Sequence, residues 1–353
     1  MAVRFREYVP EDDGDIRRIL RDNPMPGDIS LSYEREPLYH IGVPVLGEES
    51  VTLVAEVDGE VAGFASRAIR IIFDGIKSYK IGYLTGLRVD SPYHDKMLTV
   101  RAFHWLKEYD KDKNIDFYLF TVIEGNQRAE KMLTNKRLGT NTRCIGDLWT
   151  YAIKPSKNKT SLSKEYTISD LSSEKYEDVK CFINKFMGER FPEEQDFNEI
   201  NYPGFTKEDI LVLKLRDEIV CVGGYWNQGS YKQNRISSYS LRLRQIIPLM
   251  NLYRKMIKQP ILPDTGDYIK TSSVVFLRGA TKYRKMLLSY LSERAYKQEQ
   301  HSLLVGVYQD DVIKDYLGKK QIDIYKSHIY IMSFNEELPD ITGNVLNLEI
   351  SRM

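Results

Sequence analysis

The sequence predicts an α/β (α+β) protein built from two similar halves, each a mixed, mostly antiparallel sheet flanked by helices. The first observation is a repeated hairpin pattern, LVAEVDGEVAGFASRAIRI at 53–71 and ILVLKLRDEIVCVGGYWN at 210–227, in which apolar runs flank a polar turn. The second is a repeated unit of apolar strand, turn and amphipathic helix, at 81–111 and again at 268–298. The same order of elements, occurring twice, indicates an internal duplication.

The remaining elements extend this correspondence along each half. After the helix comes an apolar strand, then a polar segment with a helical pattern, and then one more strand. Thr99 precedes Asn126 by 27 residues and Tyr283 precedes Gln309 by 26, so the spacing is also maintained. The corresponding segments are 11–23 with 172–189 (the helix that begins each half), 117–123 with 301–308, 126–139 with 310–320, and 147–153 with 327–334.

The polar, aperiodic segment KPSKNKTSLSKE at 154–165 is predicted to link the halves. We therefore assign residues 1–157 to an N-terminal domain, 165–340 to a C-terminal domain and 341–353 to a tail. The second half carries one addition, LRLRQIIPLMNLYRKMIKQPILPDTG at 241–266, which is predicted to form a basic amphipathic helix followed by a loop.

Composition and charge narrow the class of protein. The 353 residues carry a formal net charge of +1, with 42% hydrophobic and 29% charged residues, which is ordinary for a soluble globular protein. The balanced charge gives no electrostatic support to nucleic-acid binding. Apolar runs fall short of the roughly 18 residues that a membrane span needs, and the first residues lack a signal-peptide pattern. Together with the isolated Cys144, Cys181 and Cys221, these features predict a cytoplasmic protein without membrane contact.

The sequence also disfavours several kinds of catalytic site. Its histidines, at 40, 94, 104, 301 and 328, do not have the spacing of metal ligands, so no metal site is predicted. It contains neither a GxSxG motif nor a GxxxxGK[ST] loop. A serine hydrolase and a P-loop enzyme are therefore disfavoured.

The turn between strand and helix in the first half, VDSPYHDKMLT at 89–99, has the position of a phosphate-binding loop. The unpaired N–H groups and the dipole of a helix start attract anions. Such loops usually carry glycines, whereas this one carries Met97 and Thr99. Backbone N–H groups would still supply most of the binding, with the Thr99 hydroxyl as a further donor and Lys96 and Arg101 as compensating charges.

Four stretches carry a family resemblance. LVAEVDGEVAGFAS at 53–66 has the form of two hairpin strands, and YLTGLRVDSPYHDKMLTVRAFHWL at 83–106 that of a strand, pyrophosphate loop and helix. VIEGNQRAEKMLTNKRLG at 122–139 completes the pattern, and RGATKYRKMLLSYLSERA at 278–295 repeats part of it more weakly. The chain thus resembles the GCN5-related N-acetyltransferase (GNAT) superfamily, as two tandem GNAT-like acyl-CoA N-acyltransferase domains with divergent pyrophosphate loops.

The resemblance implies an acyltransferase that uses acetyl-CoA, or another acyl-CoA, to acylate a primary amine of a small molecule or peptide. In the family, the pantetheine arm pairs with the strand before the loop, and the pyrophosphate meets the loop itself. The implied cofactor-binding residues are Leu87, Arg88, Val89, His94, Asp95, Lys96, Met97, Leu98, Thr99, Asn126 and Ala129.

Both halves depart from the family pattern in the loop. Both loop glycines are absent from the first half, where Met97 and Thr99 stand, and also from the second half, where the loop corresponds to 278–283. We therefore expect the first half to be the acyl-CoA site and the second half to be a degenerate copy.

The catalytic positions are divided between the halves. The family's general-acid tyrosine falls on Leu133 in the first half and on Tyr316 in the second. With Asn126 and Glu124, Tyr316 is a candidate catalytic residue, and Glu56 is another candidate base. Each also has an ordinary structural interpretation: Tyr316 as a tyrosine packed on the sheet, Asn126 as a helix N-cap, and the glutamates as strand-end charges.

The sequence leaves open both the identity of the acceptor and whether the protein is catalytically active. The segment NPMPGDISLSYEREPLYH at 23–40 would lie where the family binds its acceptor, and its Glu34 and Glu36 suit a cationic, partly apolar amine. The missing glycines and base equally suit a non-catalytic protein that keeps the fold for ligand binding or interaction. A third hypothesis, an aminoacyl-tRNA-dependent transferase, is disfavoured by the near-zero net charge. The oligomeric state is not predicted.

Overall fold

The computed structural model describes residues 2–25, 27–94, 97–157, 162–256, 261–334, 337–341 and 348–353. The strands are β1 (Val3–Glu7), β2 (Ile29–Glu34), β3 (Glu48–Val57), β4 (Glu60–Phe73), β5 (Ser78–Val89), β6 (Phe117–Ile123), β7 (Asn141–Ile153), β8 (Tyr166–Asp170), β9 (Gly188–Glu189), β10 (Ile210–Leu215), β11 (Glu218–Trp226), β12 (Gln233–Tyr239), β13 (Tyr268–Ile269), β14 (Thr271–Gly279), β15 (Ser302–Tyr308) and β16 (Gln321–Ser333). The helices are α1 (Asp13–Asp22), α2 (Leu98–Tyr109), α3 (Gln127–Leu133), α4 (Tyr176–Asn184), α5 (Leu241–Met256), α6 (Thr281–Lys297) and α7 (Lys314–Gly318).

Both predicted hairpins form, because their turns contain residues in the left-handed conformation that tight hairpins need. Asp58 (φ 51°) and Gly59 (φ 95°) connect β3 to β4, and Arg216 (φ 57°) connects β10 to β11. The amphipathic α1 buries Ile16 and Ile19 completely against the first hairpin. Alternating strand residues and a helical apolar face together position this layer of the first half.

The strands of both halves belong to one sheet, which confirms the predicted α/β class. In the described part of the chain the order is β1-β3-β4-β5-β6-β16-β7-β15-β14-β11-β10-β8, and β9 pairs with β4. From either edge, the strands follow in the same order of equivalent elements. The halves are therefore related by an approximate two-fold axis between β16 and β7.

The two halves exchange their last strands. β16, from the second half, lies between β6 and β7 of the first half and is antiparallel to both, with Tyr330 opposite Phe120 on one side and Cys144 on the other. β7 in turn lies between β16 and β15. The sheet of each half thus includes a strand of the other half. The domain boundary in the linker between β7 and β8 stays a prediction.

Two parallel strand pairs separate soon after they meet. β5 and β6 pair over Ile81–Tyr83 and Phe117–Leu119, and β14 and β15 pair over Thr271–Ser273 and Ser302–Leu304. Beyond these residues, no further pairing joins the described parts of the two strands in either pair. The first cleft is the space between β5 and β6, and the second cleft is the space between β14 and β15.

Helices cover the sheet near both clefts. α2 and α3 pack on β6 through Phe103, Leu106 and Leu133. In the second half, α6 and α7 bury Leu287 and Leu317 in an equivalent layer. These cores fix the start of α2 beside the first cleft and the start of α6 beside the second.

A smaller sheet and the predicted inserted helix complete the structure. β13, β12 and β2 form a separate sheet in which Tyr33 of the first half lies opposite Asn234 of the second. The helix predicted within 241–266 is α5, which contains Pro248. No helix in the described ranges is long and apolar enough to cross a membrane.

Candidate functional site

The first cleft is bordered by an irregular stretch of β5. Between Thr85 and Arg88 the register with β4 shifts, because Gly86 and Leu87 form a bulge. Gly86 has φ +70°, a left-handed conformation that glycine adopts without strain. Along residues 84–89 the edge that faces β6 has no strand partner in the described chain. This edge therefore offers peptide N–H and C=O groups to an extended ligand.

A short loop joins β5 to α2 at the edge of the first cleft. The Asp90 carboxylate accepts a hydrogen bond from the next N–H and begins a turn of 3-10 helix. A ring nitrogen of His94 lies 3.0 Å from the Val89 carbonyl oxygen. These contacts hold the loop against the end of β5, where the sequence predicts a pyrophosphate site. Asp95 and Lys96, which were also predicted to bind the cofactor, lie outside the described residues.

Met97 precedes α2 in a conformation that glycine adopts more easily. Its backbone is left-handed (φ 51°, ψ 28°), and its side chain is 54% exposed. This conformation costs a residue with a Cβ roughly 1–2 kcal/mol. The backbone therefore keeps a turn suited to glycine although the sequence lacks one, and the Met97 side chain projects toward solvent.

The first turn of α2 is anchored in the protein interior. Leu98 and Thr99 are buried, and the Thr99 hydroxyl donates to the Met132 sulfur of α3 at 3.3 Å. Arg101 donates to the Val3 carbonyl oxygen at 3.3 Å. Both side chains thus have partners within the protein, and their roles as phosphate donor and compensating charge stay predictions. The N–H groups of the first turn have no partner within the helix, as at every helix start, and remain the donors for an anion.

A mostly apolar pocket lies beneath the start of α2 and is continuous with the bulge. It is a small pocket and is open to solvent. Phe5, Phe64, Leu87, Arg88 and Leu98 are among its lining residues. The lining suits the uncharged part of a ligand whose charged group lies at the loop.

Asn126 and Glu124 lie at the end of β6. The Asn126 side-chain oxygen accepts the Ala129 N–H at 3.1 Å and caps α3. The Glu124 carboxylate forms an exposed ion pair with Lys326 of β16 at 2.9 Å. Both contacts correspond to the structural interpretations of these residues, and their catalytic or cofactor-binding roles stay predictions.

Tyr316 is not brought together with Asn126 and Glu124. It lies on α7 of the second half, where its hydroxyl is 3.0 Å from the Ser289 hydroxyl of α6. Its ring packs against the core beneath α6. The predicted catalytic residues thus belong to different sides of the central strand pair, β16 and β7.

A cluster of tyrosines and cations that the sequence analysis did not identify lies beside the bulge. The Arg35 guanidinium donates to the Tyr33 hydroxyl at 2.8 Å, and Lys232 Nζ lies 5.9 Å from the centre of the Tyr33 ring. The Tyr39 hydroxyl lies 3.5 Å from the position that a Cβ on Gly86 would take. We call Tyr33, Arg35, Tyr39, Arg88 and Lys232 the tyrosine–cation cluster.

The cluster changes the acidity of Tyr33. Burial alone would raise the pKa of its phenol, but the positive charges of Arg35 and Lys232 outweigh burial and lower the pKa to about 8. Roughly a tenth of Tyr33 is therefore phenolate at pH 7. A tyrosine in this range can accept or donate a proton near neutral pH.

The alternation of residue types in SYERE, at 32–36, is a sequence signal that indicates part of this cluster. In a strand, alternate residues face opposite sides, so Tyr33 and Arg35 share one side while Glu34 and Glu36 share the other. The two carboxylates form ion pairs with Arg21, at 3.5 Å and 2.7 Å. They are already paired with the protein's own cations, so they are poorly placed to attract the cationic acceptor that the sequence analysis suggested.

The second cleft is occupied by the chain itself. Leu348, Glu349 and Ile350 pack between β14 and β15, with Ile350 against the β15 backbone. The Glu349 carboxylate accepts the Phe276 N–H at 2.9 Å and the Arg278 guanidinium at 2.9 Å. A carboxylate of the protein therefore lies on the bulge of the second cleft.

The second half also lacks the predicted loop. Residues 278–283 were expected to form it, but Arg278 and Gly279 end β14 and α6 begins at Thr281. Only Ala280 separates the two elements. This half thus has a helix start but no loop in front of it.

The first half matches a known family. Residues 15–139, which extend from α1 past α3, match the model of the acetyltransferase (GNAT) family. This part of the chain is similar to a GNAT domain. It contains the bulge, the loop and the start of α2. None of the curated proteins matches the sequence of this chain.

Solved structures share the fold of the whole chain. N-myristoyltransferase of Saccharomyces cerevisiae, solved with bound myristoyl-CoA, is similar with a TM-score of 0.61 and 10% identity, over 99% of this chain and 84% of that one. A GCN5-related glucosamine N-acetyltransferase region in a fungal multi-domain GH3 β-N-acetylglucosaminidase gives a TM-score of 0.59 and 11% identity. That match covers 94% of this chain, which spans only 38% of the fungal one. At such identities the likeness concerns the fold: the GNAT-like domain and the second half together have a fold that acyl-CoA-dependent N-acyltransferases use.

Proposed function

We propose that the protein is an N-acyltransferase that binds acyl-CoA in the first cleft and transfers the acyl group to a primary amine. The proposed donor is acetyl-CoA, or another acyl-CoA, and the proposed acceptor is a small molecule or a peptide. The observation that carries the proposal is the separation of β5 from β6 directly before the bulge at Gly86, within a GNAT-like domain. It leaves a free strand edge of the kind that an extended amide chain can pair with.

The groups of this edge suit the three parts of an acyl-CoA. The backbone of Leu87–Val89 would pair with the pantetheine amides. At the bulge, backbone N–H groups of β5 no longer pair with β4. They would stabilise the oxyanion that forms when the thioester carbonyl is attacked. The pyrophosphate would lie at the loop and the start of α2, where unpaired N–H groups and the helix dipole favour an anion.

Transfer also requires that a proton leave the amine. The amine nitrogen attacks the thioester carbonyl, the C–S bond breaks, and CoA leaves as a thiolate that is then protonated. We assign the role of base to Tyr33, because the nearby charge of Arg35 makes its phenol unusually acidic. Tyr316 lies in the other half, and Glu124 is paired with Lys326, which makes these predicted catalytic residues weaker candidates.

A non-catalytic ligand-binding protein is the second candidate function. The specific observation in its favour is that Glu124 is paired with Lys326 and Tyr316 lies in the other half, so these two predicted catalytic residues do not meet at the first cleft. Such a protein would bind acyl-CoA or a related ligand in the first cleft but release no thiol when amines are added.

Isothermal titration with acetyl-CoA and with free CoA tests the proposed function. We expect one binding site per chain, and we expect Met97→Glu to weaken binding at least about tenfold, since a carboxylate near the pyrophosphate repels it. Met97 is exposed, so this change should leave the fold intact. Met256→Glu, at an exposed methionine on α5, is the matched control and should bind like the unaltered protein.

Thiol release distinguishes the two candidate functions. Free thiol is measured after mixing acyl-CoA donors of increasing chain length with a panel of primary amines. Release that depends on an amine supports the transferase, whereas binding without release from any amine supports the non-catalytic protein. Absence of acyl-CoA binding at millimolar ligand would contradict both.

A further inference from the structure

The tyrosine–cation cluster contains a buried arginine with an unused donor. Arg35 is only 8% exposed, and its guanidinium lies 4.3 Å from the centre of the Tyr33 ring. One terminal nitrogen donates to the Tyr33 hydroxyl, whereas the other, Nη1, has no hydrogen-bond partner among the described residues. Buried donors in proteins are nearly always paired, so an orphaned guanidinium nitrogen calls for an explanation.

Arg88 adds a second cation without a side-chain partner. It follows the bulge directly, and its guanidinium donates to the carbonyl oxygen of its neighbour, Leu87, at 2.9 Å. Within the described residues no side-chain carboxylate lies within 4.0 Å of Arg88 or Arg35. Burial lowers the pKa of Arg88, and Tyr33 and Tyr39 lie close enough to oppose this effect. The two arginines thus flank the same pair of tyrosines.

The third cation is only partly satisfied by the protein. Lys232 donates to main-chain oxygens of Ser351 and Met353, at 3.4 and 2.8 Å. Burial lowers the pKa of Lys232 as well. Three cations therefore surround Tyr33, and the described chain places main-chain oxygens but no side-chain carboxylate among them.

Elsewhere the same chain pairs its buried arginines. Arg67 forms an ion pair with Asp110, and Arg70 with Glu189 at 3.0 Å, and all four side chains are almost completely buried. A buried charge without a partner is strongly unfavourable, so an unpaired group in a protein that pairs its other buried arginines indicates an external partner.

The second half shows what this position binds. Arg278 and Arg88 occupy the same place in the two halves, because each lies two residues after the left-handed residue of a bulge and pairs with the equivalent hairpin strand. Arg278 is bound to the Glu349 carboxylate at 2.9 Å. The internal repeat thus provides a carboxylate ligand for one arginine and leaves the other without one.

We propose that Arg35 and Arg88 bind an anionic oxygen group of the acceptor, a carboxylate or a phosphate located close to the amine that is acylated. Guanidinium groups bind both oxyanions through paired hydrogen bonds. The Tyr39 hydroxyl beside Gly86 connects this anion site to the cleft proposed for the thioester. An amino acid or a phosphorylated amine would then present its nitrogen near Tyr33. This inference rests on the proposed function for the identity of the ligand as an acceptor, but the anion site can be tested separately.

The first experiment measures anion binding without catalysis. The thermal midpoint of the full chain is recorded in acetate, phosphate and chloride at equal ionic strength. We expect acetate or phosphate to raise the midpoint by about 3 °C relative to chloride, as a bound anion stabilises the folded state. Arg35→Gln and Arg88→Gln should abolish the shift, whereas Arg216→Gln, at an exposed hairpin turn, should retain it.

The thermal midpoints show whether Arg35 and Arg88 bind an anion. A shift of equal size in the unaltered protein and in both cluster variants would overturn the proposal, and so would the absence of any shift. Arg88 is half-buried and has no ion-pair partner in the described chain, so Arg88→Gln should fold with an unchanged midpoint in chloride. Arg35→Gln also loses the hydrogen bond to Tyr33, so its midpoint in chloride is measured to show that it folds. If one of them does not, the other gives the same test at the second arginine.

The second experiment identifies the anion through the reaction. Thiol release from acetyl-CoA is compared between glycine and glycinamide, and between phosphoethanolamine and ethanolamine. We expect the anionic member of at least one pair to react about tenfold faster or more, as one charge-assisted contact allows, and Arg88→Gln to remove the preference. The pair that shows it distinguishes a carboxylate from a phosphate.

The possible failures are distinguishable. Thiol release that is equal or faster with the neutral member of every pair would overturn an anionic acceptor while leaving the proposed function intact. Absence of release from every amine would contradict the proposed function, and the thermal experiment alone would then decide whether Arg35 and Arg88 bind an anion.

Discussion

The first and second clefts share a backbone but differ in what occupies it. Each lies where a parallel strand pair separates, and each has a bulge with a left-handed residue, Gly86 in the first and Phe276 in the second. In the second cleft, Glu349 of the chain itself accepts the Phe276 N–H. In the first cleft, a loop and a helix start face a strand edge without a strand partner in the described chain.

The shared backbone produces a cleft in each half, whereas a few side chains decide whether that cleft can bind a ligand. Glycine at the first bulge leaves the backbone accessible, whereas the Phe276 ring is buried in the core. A carboxylate within the chain neutralises Arg278, whereas Arg88 has no such partner among the described residues.

The largest effect on stability is expected from removing the carboxylate charge in the second cleft. Glu349→Gln removes the charge that pairs with the buried Arg278 while it preserves the shape of the side chain. Loss of one partner of a buried ion pair should lower the free energy of unfolding by about 3 kcal/mol, measured by urea denaturation. Acyl-CoA binding should remain at one site per chain, because the second half has no loop in front of α6.

Glu124→Gln is the matched control, because Glu124 belongs to an exposed ion pair at the edge of the first half. Its loss should change the free energy of unfolding by less than about 1 kcal/mol. Equal effects of the two substitutions, or a second acyl-CoA site in the Glu349→Gln protein, would contradict the contrast between the clefts.

The next effect concerns proton transfer at the first cleft. Because the pKa of Tyr33 is lowered to about 8, its phenolate fraction rises as the pH increases toward 8. If Tyr33 is the base, kcat/KM should rise below pH 8 and level off above it. Tyr33→Phe should lower kcat/KM at pH 8 by roughly 100-fold, which is the usual contribution of a general base.

Arg35→Gln provides the control for this profile. The acceptor amine also loses a proton in this pH range, but its own pKa in free solution does not depend on Arg35. Removal of the Arg35 charge should raise the pKa of Tyr33 and move the rising limb to higher pH. A limb that stays at the same pH in Arg35→Gln would assign the titration to the amine instead.

A smaller effect is expected at the bulge itself. A Cβ on Gly86 would make only ordinary contacts with Tyr39 and Phe64, so Gly86→Ala tests the left-handed backbone. It should lower the free energy of unfolding by about 1 kcal/mol and raise the KM of the acceptor. Gly125→Ala, at a left-handed turn in open space, should cost a similar amount of stability without changing KM.

The repeated pattern made most of the fold predictable. Hairpin turns, strands and helices follow from local periodicity, and the helix within 241–266 was found as expected. The strand exchange was not predictable, because β7 and β16 have similar patterns and nothing in their residues specifies which half each strand completes. The segment that occupies the second cleft was not predicted for a similar reason. The role of Glu349 depends on its contact with Arg278, which lies 71 residues earlier in the sequence.

The candidate site was predictable where it is local. The strand, the loop and the cap at Asn126 follow one another in sequence and were identified together. The tyrosine–cation cluster unites Tyr33 and Arg35 with Arg88 and Lys232, from distant parts of the chain. No spacing rule connects these residues, and only the period-two pattern around Tyr33 offered a signal.

The smallest expected effect is a gain in stability at the loop. Met97 adopts a left-handed backbone with its side chain exposed, so Met97→Gly relieves strain and removes few contacts. Because glycine also loses more conformational freedom on folding, the net gain in the free energy of unfolding should be only about 0.5–1 kcal/mol. Acyl-CoA affinity should be retained or increased, since a Cβ no longer stands beside the pyrophosphate site.

Met97→Val is the control, because a β-branched residue tolerates this conformation poorly and should lower stability. If Met97→Gly destabilised the protein while Met97→Val did not, the left-handed turn at the start of α2 would be incorrect, and with it the comparison between an open cradle in the first half and none in the second.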